Sequence, residues 1–505
     1  MPTEKTHSLS VKAAHAGSWM VIGRVLTKVI DFSTLLILIH ALKPSDFGLI
    51  AIAMSVIQII EAIFEIPVAQ AVLGLDEFSD DMLNTAFTLS LIRGFIIALV
   101  SMGLAWPLAS FYRDPRLVSL YCALAFAPAL RGLLSPKMII FIKHLDFRQD
   151  FATMLIGKVF SLVAACVFAF STHNYWAIAV GTITYPLTTC VISYILAPFR
   201  PRLTLCKWRH FRDMMSWNTL SQVFSSLNWQ IDKLMLGRFV TPTALGQYSL
   251  ANDLNAIPVQ ALTQPLGRPI MAAFAARRDS QNLDAIYYKI ASTIMYLGGP
   301  IFIVLNCMAF PIVHLILGDK WLAAVPVLEW VALSGILLLP CDPMPALALA
   351  LNNNRWTALK TFLESLVKIP TLILGVVFFG MMGAVVARLF VSVAVFIFTM
   401  FLVKKLINLP VVKQVSAVLR PTFALLALDL CMRAMYFIYN YYLAGKLLLV
   451  FSALIVLIGM IQYALFSYLI WKMAGSPEGA ESTILHLVKV YLEKVRFLSP
   501  SARRV

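Results

Sequence analysis

The sequence predicts an all-α polytopic membrane protein of about 14 transmembrane helices, built as two six-helix lobes related by an internal repeat plus two extra helices. Three observations carry this prediction. The chain is 60% apolar and only 13% charged, whereas a water-soluble globule is about half apolar and about a quarter charged. Apolar runs of roughly 20 residues, enough to cross about 30 Å of hydrocarbon, recur along almost the whole chain. The third observation is a gapless repeat: Ser18-Trp19 returns as Ser216-Trp217, and the same offset carries Leu38 onto Leu236, Pro44 onto Pro242, Gly48 onto Gly246 and Pro67 onto Pro265. Chance likeness between two apolar segments is the competing explanation. The aligned prolines and glycine sit at breaks rather than inside apolar runs, which argues for a true repeat.

The expected spans of the first half are His15 to Leu42, Phe47 to Leu75, Leu83 to Phe111, Leu117 to Leu134, Phe151 to Ser171 and Tyr175 to Pro198. The second half supplies Met214 to Val240, Leu245 to Ala273, Ile286 to Leu317, Ala323 to Leu351, Trp356 to Phe379 and Gly383 to Val403. Ala417 to Tyr441 and Lys446 to Trp471 complete the set. This divides the chain into lobes at 1–200 and 201–405, two additional helices within 406–472, and a tail at 473–505. In each copy of the repeat an apolar run reaches a Pro and a Gly opens the next run, so each lobe is expected to begin with a helical hairpin. An even number of spans per half makes the repeat a parallel one, and two such lobes are expected to enclose a hydrated cavity lined by the first, second, seventh and eighth spans.

Met1 to His15 is polar, with no signal-peptide pattern, so the first span is expected to be retained. The seven cysteines have no metal-ligand spacing and read as unpaired apolar fillers. Lys and Arg concentrate on the side of the N-terminus, most densely at Arg200, Arg202, Lys207, Arg209 and Arg212, which places both termini in the cytoplasm. The net charge of +16 is thus mainly a topology signal, spread over separate loops and unsuited to nucleic acid. After Trp471, Ser482 to Phe497 has amphipathic spacing and reads as an interfacial helix on the inner leaflet or as a helix docked on cytoplasmic loops.

Ionised groups at membrane depth are costly and therefore candidates for function. Arg24, Lys28 and Asp31 share one face of the first span, and Glu61 and Glu65 lie one turn apart on the second. Gln222, Asp232 and Lys233 make the seventh span polar, with Gln222 at the repeat position of Arg24. Arg93, Glu364 and Lys368 add charge on other spans, as do Lys158, Arg388, Glu329, Asp429 and Arg433. The cations Arg24, Lys28, Lys233, Arg93 and Lys368, with the neutral amide of Gln222, suit the oxygens of an anionic, phosphate-bearing substrate. The acids Asp31, Glu61, Glu65, Asp232 and Glu364 are candidates for coupling to an ion gradient. The competing explanation is internal pairing: Arg24 or Lys28 with Asp31, Glu364 with Lys360 or Lys368, and Asp429 with Arg433. No nucleotide-binding loop, nucleophile elbow or paired-histidine metal motif is present, so no enzyme activity, metal or cofactor is expected.

The stretch Ile231-Asp232-Lys233-Leu234-Met235-Leu236-Gly237-Arg238, followed by Leu245-Gly246-Gln247-Tyr248, resembles the Asp-Lys-x3-Gly-Arg and Leu-Gly-x-Tyr elements of the Wzx-type oligosaccharide flippases, within the multidrug/oligosaccharidyl-lipid/polysaccharide exporter superfamily. Leu317-Gly318-Asp319-Lys320-Trp321, Pro44 with Asp46-Phe47-Gly48, and Gly380-Met381-Met382-Gly383-Ala384 support it. The likeness spans nearly the whole chain and is best to the branch serving colanic acid and succinoglycan-like exopolysaccharides. It implies a bacterial inner-membrane flippase moving undecaprenyl-diphosphate-linked oligosaccharide repeat units by alternating access, with membrane lipids and polysaccharide polymerase and export proteins as candidate partners. No ion-binding motif of the family maps onto the chain. A multidrug or organic-cation antiporter on the same scaffold is the alternative, and it calls for an acidic cavity. A membrane polysaccharide polymerase or ligase is a second alternative, and it calls for a long periplasmic loop.

Overall fold

The structure, a computed structural model, describes residues 23, 25–66, 68, 72, 79–143, 146–212, 216–260, 264–277, 282–443, 447–476 and 479–482. Among these residues the chain is helical and contains no strand. It divides into two compact units, Met1–Ser249 and Leu250–Val505.

The first unit contains α1 (residues 25–41), α2 (Pro44–Ile63), α3 (Asp80–Tyr112), α4 (Arg116–Leu124), α5 (Phe126–Arg131), α6 (Met138–Lys143), α7 (Phe147–Thr172), α8 (Trp176–Leu196), α9 (Trp208–Arg212), α10 (Ser216–Phe239) and the beginning of α11 (Pro242–Pro258). Pro44 occupies the first turn of α2, where its missing N–H costs nothing, and the Asp46 carboxylate accepts the Lys43 N–H at 3.1 Å. Gly48 therefore does not form the reversal that the sequence suggests. It lies on the second turn of α2, packed against backbone: a Cβ there would sit 1.9 Å from the Pro242 carbonyl oxygen, and one on Gly246 would sit 1.9 Å from that of Pro44.

Prolines also cut spans that hydropathy reads as continuous. Helix α2 ends at Ile63, whose carbonyl a ring at Pro67 would meet, and the expected fourth span is interrupted at Ala125 because Pro128 cannot donate to the Leu124 carbonyl.

The second unit contains the rest of α11, then α12 (Gln264–Ala275), α13 (Leu283–Cys307), α14 (Ala309–Ile312), α15 (Val325–Leu338), α16 (Pro343–Ala350), α17 (Arg355–Ile407), α18 (Val411–Leu443) and α19 (Leu448–Met473). The expected run from Ile286 to Leu317 stops at Cys307, four residues before Pro311, and resumes as the short α14 and a π turn at Val313–Leu317. Gly318 (φ 87°) then reverses the chain and Trp321 is fully buried, which accounts for the Leu-Gly-Asp-Lys-Trp motif as a turn with an aromatic anchor. The π turn also brings His314 Nδ1 onto the Asp319 carboxylate, a partner that helical spacing in the sequence does not reveal. Between α15 and α16 the chain takes a 3-10 turn at Leu339–Cys341, with Pro340 inside it and Pro343 opening the helix that follows.

Helix α17 is two spans joined at Gly380 (φ 60°, ψ −135°), a conformation open to glycine. Its arms close on one another at Gly375 and Gly383, where a Cβ on Gly383 would lie 1.8 Å from the Gly375 carbonyl oxygen. The two additional helices α18 and α19 pack on α13 through Leu425, Leu428, Met432 and Ile455 against Met295 and Ile303.

Among the described residues, nine helices are long and apolar enough to cross a membrane. The expected count of about fourteen also draws on segments that proline breaks, that are too polar for this criterion, or that the described residues cover only in part.

Candidate functional site

Charges on the helices of the first unit are drawn into ion pairs. Lys158 on α7 places Nζ 2.5 Å from Asp31 on α1, and its ammonium stands 4.8 Å from the centre of the Tyr185 ring on α8. Arg131 on α5 meets Glu61 Oε1 at 2.8 Å. Arg93 on α3 pairs with Glu65, just beyond the end of α2, and donates to the Glu61 carbonyl at 3.4 Å. Three cations and three carboxylates thus tie together helices that are far apart in sequence. Such pairs offset the cost of taking charge out of water only while both partners stay in place.

Helix α10, the lead helix of the second repeat, lies along α2. Ser55 Oγ donates to Gln230 Oε1 at 2.9 Å, Gln230 bonds Gln58 through its side-chain amide, and Ser226 Oγ donates to the Gln58 carbonyl at 3.2 Å. The Asp-Lys-x3-Gly-Arg stretch closes the end of this contact. Tyr248 donates its hydroxyl to Asp232 Oδ2 at 3.1 Å, joining that motif to the neighbouring Leu-Gly-x-Tyr motif. Gly237 lets α10 approach Ile52 and Tyr112, where a Cβ would meet carbons at 2.8 and 3.1 Å, and the Arg238 guanidinium stands 5.5 Å from the Phe111 ring centre.

Arg24 lies outside the described residues. Lys28 is exposed on α1 and Gln222 exposed on α10, while Lys233 is half-buried and Asp232 buried. Lys368 and Glu364 are half-buried on α17, in the second unit. Of the expected site residues, the structure brings Arg93, Glu61 and Glu65 together, and places Asp31 in a separate pair with Lys158. The sequence offered Arg24 or Lys28 as partners for Asp31; Arg24 lies outside the described residues, and the structure adds Lys158, which the sequence did not point to. Arg131, near the end of the expected fourth span, is not among the expected site residues, yet it holds Glu61. Asp31, Glu61 and Glu65, three of the acids an organic-cation antiporter would leave open, are each held by a cation.

The second unit has its own polar clusters. Asp429 takes Arg433 Nε at 3.0 Å, the pairing read from their spacing, and adds the Cys307 thiol at 3.1 Å; Arg433 also donates to Asn306 at 2.6 Å. Arg388 bonds Asn252. Glu481, in the tail, is buried: it accepts from Tyr296 on α13 at 3.0 Å and from Arg420 on α18 at 3.4 Å. Of the expected tail helix, residues beyond 482 lie outside the described set.

A family model described as "Polysaccharide biosynthesis protein" matches residues 37–326. The lipopolysaccharide biosynthesis protein WzxC of Escherichia coli (strain K12) is 22% identical over 415 residues, covering 79% of this chain and 82% of that protein. The succinoglycan biosynthesis transport protein ExoT of Rhizobium meliloti (strain 1021) is 22% identical over 334 residues, 64% of this chain and 66% of that one. Among solved structures, the lipid II flippase MurJ in an inward closed conformation superposes with a TM-score of 0.71 at 12% identity, covering 91% of this chain and 99% of that chain. That likeness is one of fold.

Proposed function

The chain belongs to the polysaccharide biosynthesis protein family, and from that premise we propose that it is a flippase for undecaprenyl-diphosphate-linked oligosaccharide repeat units. The work of such a protein is to move a polar, anionic head through hydrocarbon while its long apolar tail stays in lipid. The observation that carries the reading is the set of ion pairs of Asp31, Glu61 and Glu65 with Lys158, Arg131 and Arg93 on the apolar helices of the first unit, in a family whose relatives are named for polysaccharide biosynthesis and its transport.

In this reading Arg24, Lys28, Gln222, Lys233, Arg93 and Lys368 serve the diphosphate and sugars through charge-assisted and neutral hydrogen bonds. Asp31, Glu61, Glu65, Asp232 and Glu364 are the acids that could exchange a proton or sodium ion during an alternating-access cycle. The protein sits in the bacterial inner membrane with both termini cytoplasmic, and passes its cargo to polymerase and export proteins. Deleting the gene tests the proposal: polymer export should stop and lipid-linked repeat units should accumulate on the cytoplasmic leaflet. Export at the parental level, with no other gene supplying it, would contradict the reading.

A further inference from the structure

The segment between α8 and α10 is not a slack linker. It runs extended along the start of α3, where three of its backbone N–H groups find side-chain acceptors: Arg202 to Asn84 Oδ1 at 2.8 Å, Thr204 to Thr88 Oγ1 at 3.1 Å and Lys207 to Thr85 Oγ1 at 3.4 Å. Asn84, Thr85 and Thr88 are buried; the two threonine hydroxyls also donate to α3 carbonyls, so an undocked strap would cost Asn84 Oδ1 its backbone donor. Phe211 anchors its far end, fully buried against Val72, Met82, Leu83 and Ala86.

The strap walls a cavity of about 820 Å³. Arg200 and Arg202 line it from the strap, and Lys137 lines it from the α5–α6 connection, its ammonium 5.5 Å from the Phe199 ring centre. Asp80 and Asp81 line it too. Among the described residues, however, no carboxylate lies within ion-pair distance of Arg200, Arg202 or Lys137. The acids occupy the first turn of α3, where they favour the positive end of the helix. Tyr194, Pro198 and Leu203 give the same cavity an apolar side, and Leu203, Leu205 and Trp208 are exposed along the strap. A cavity with three cations lacking a carboxylate partner on one side and apolar groups on the other suits a phosphate carried on a lipid better than a soluble anion.

We propose that the cavity under the 198–207 strap binds the phosphate group of a membrane-anchored lipid, with Lys137, Arg200 and Arg202 as its cationic ligands. This site is separate from the ion pairs of α1, α2, α3, α5 and α7, and the assignment does not depend on the chain being a transporter. Two lipids could supply the phosphate, an anionic phospholipid or a polyprenyl diphosphate.

The test is native mass spectrometry of the purified full chain, titrated in parallel with phosphatidylglycerol, undecaprenyl diphosphate and zwitterionic phosphatidylcholine. Lys137→Gln/Arg200→Gln/Arg202→Gln should weaken binding of a phosphate lipid by roughly tenfold or more. The matched triple Lys404→Gln/Lys405→Gln/Lys413→Gln, on the other unit, should change it less than about twofold, which separates a local site from general surface charge. Equal weakening of both anionic lipids identifies a general phospholipid site; weakening of undecaprenyl diphosphate alone identifies the polyprenyl source. Arg202→Gln by itself guards against a misfolded triple and should cost about threefold, because one of three cations is lost. Unchanged binding in the strap variants, or equal losses in the two triples, would overturn the assignment.

Discussion

Gly48 and Gly246, repeat-related positions, pack reciprocally: each would place a Cβ 1.9 Å from the carbonyl oxygen of the other copy's proline, Pro242 for Gly48 and Pro44 for Gly246. The backbone nitrogen of each also lies 3.1 Å from the other's Cβ position. The identical distances express the repeat as a local two-fold relation between the first two turns of α2 and of α11. In a bilayer, where lipid is as apolar as a leucine side chain, helices associate by close backbone approach, and glycine is what permits it here.

Gly48→Ala and Gly246→Ala should therefore destabilise the protein by similar amounts, about 1–3 kcal/mol each, since the added methyl meets rigid backbone. Gly103→Ala is the control: nothing lies within 4 Å of its Cβ position, and it should be neutral or slightly stabilising. Thermal unfolding in detergent measures all three. A neutral Gly48→Ala would show that the helices do not cross so closely.

Asp31 and Lys158 form the ion pair of the first unit that is simplest to test. Their side chains are 40% and 27% exposed, so the loss on breaking the pair is discounted from that of a fully buried one. Asp31→Asn should cost about 1–3 kcal/mol by stranding the ammonium, and adding Lys158→Met should recover part of it. Membrane abundance and unfolding temperature are the readouts. No recovery in the double variant would mean that Asp31 acts through another group.

The tail is pinned by Glu481. Glu481→Gln weakens the bonds from Tyr296 and Arg420 and should lower stability by about 1–2 kcal/mol, with the double variant carrying Arg420→Gln costing less than the sum of the two. Deleting 482–497 should reduce membrane abundance more than transport per molecule. Loss of transport at unchanged abundance would give the tail a part in the cycle.

Topology is read most simply at Cys206, a native exposed cysteine on the strap. With the other six cysteines replaced, it should resist an impermeant thiol reagent in intact spheroplasts and react after permeabilisation. Prompt labelling from outside would reverse the assigned orientation.

The helical class and the repeat were legible because composition and the aligned Pro44/Pro242 and Gly48/Gly246 are properties of the sequence itself. Span interruptions were less so, since hydropathy averaged over a span ignores the missing N–H of Pro128, Pro311 or Pro340. Pairing was legible only where it follows helical spacing. Asp429 and Arg433 are four residues apart and do meet, whereas Asp31 meets Lys158 and Glu61 meets Arg131 through tertiary packing that no spacing records. For the same reason the glycine at position 48 could be read as a turn residue, because nothing in its own neighbourhood names Pro242 as the backbone it must accommodate.

The central claim is transport of a lipid-linked diphosphate sugar, and it is tested most directly by following undecaprenyl-diphosphate-linked oligosaccharide across the membrane of proteoliposomes holding the purified chain, with and without a proton or sodium gradient. The account predicts crossing well above that of protein-free liposomes. Arg24→Ala should lower it by about one to two decades, the loss of one charge-assisted bond to a diphosphate, with Arg24→Lys recovering only part. Crossing no faster than in empty liposomes, or full activity in a correctly inserted Arg24→Ala protein, would contradict the claim and the role of Arg24 respectively.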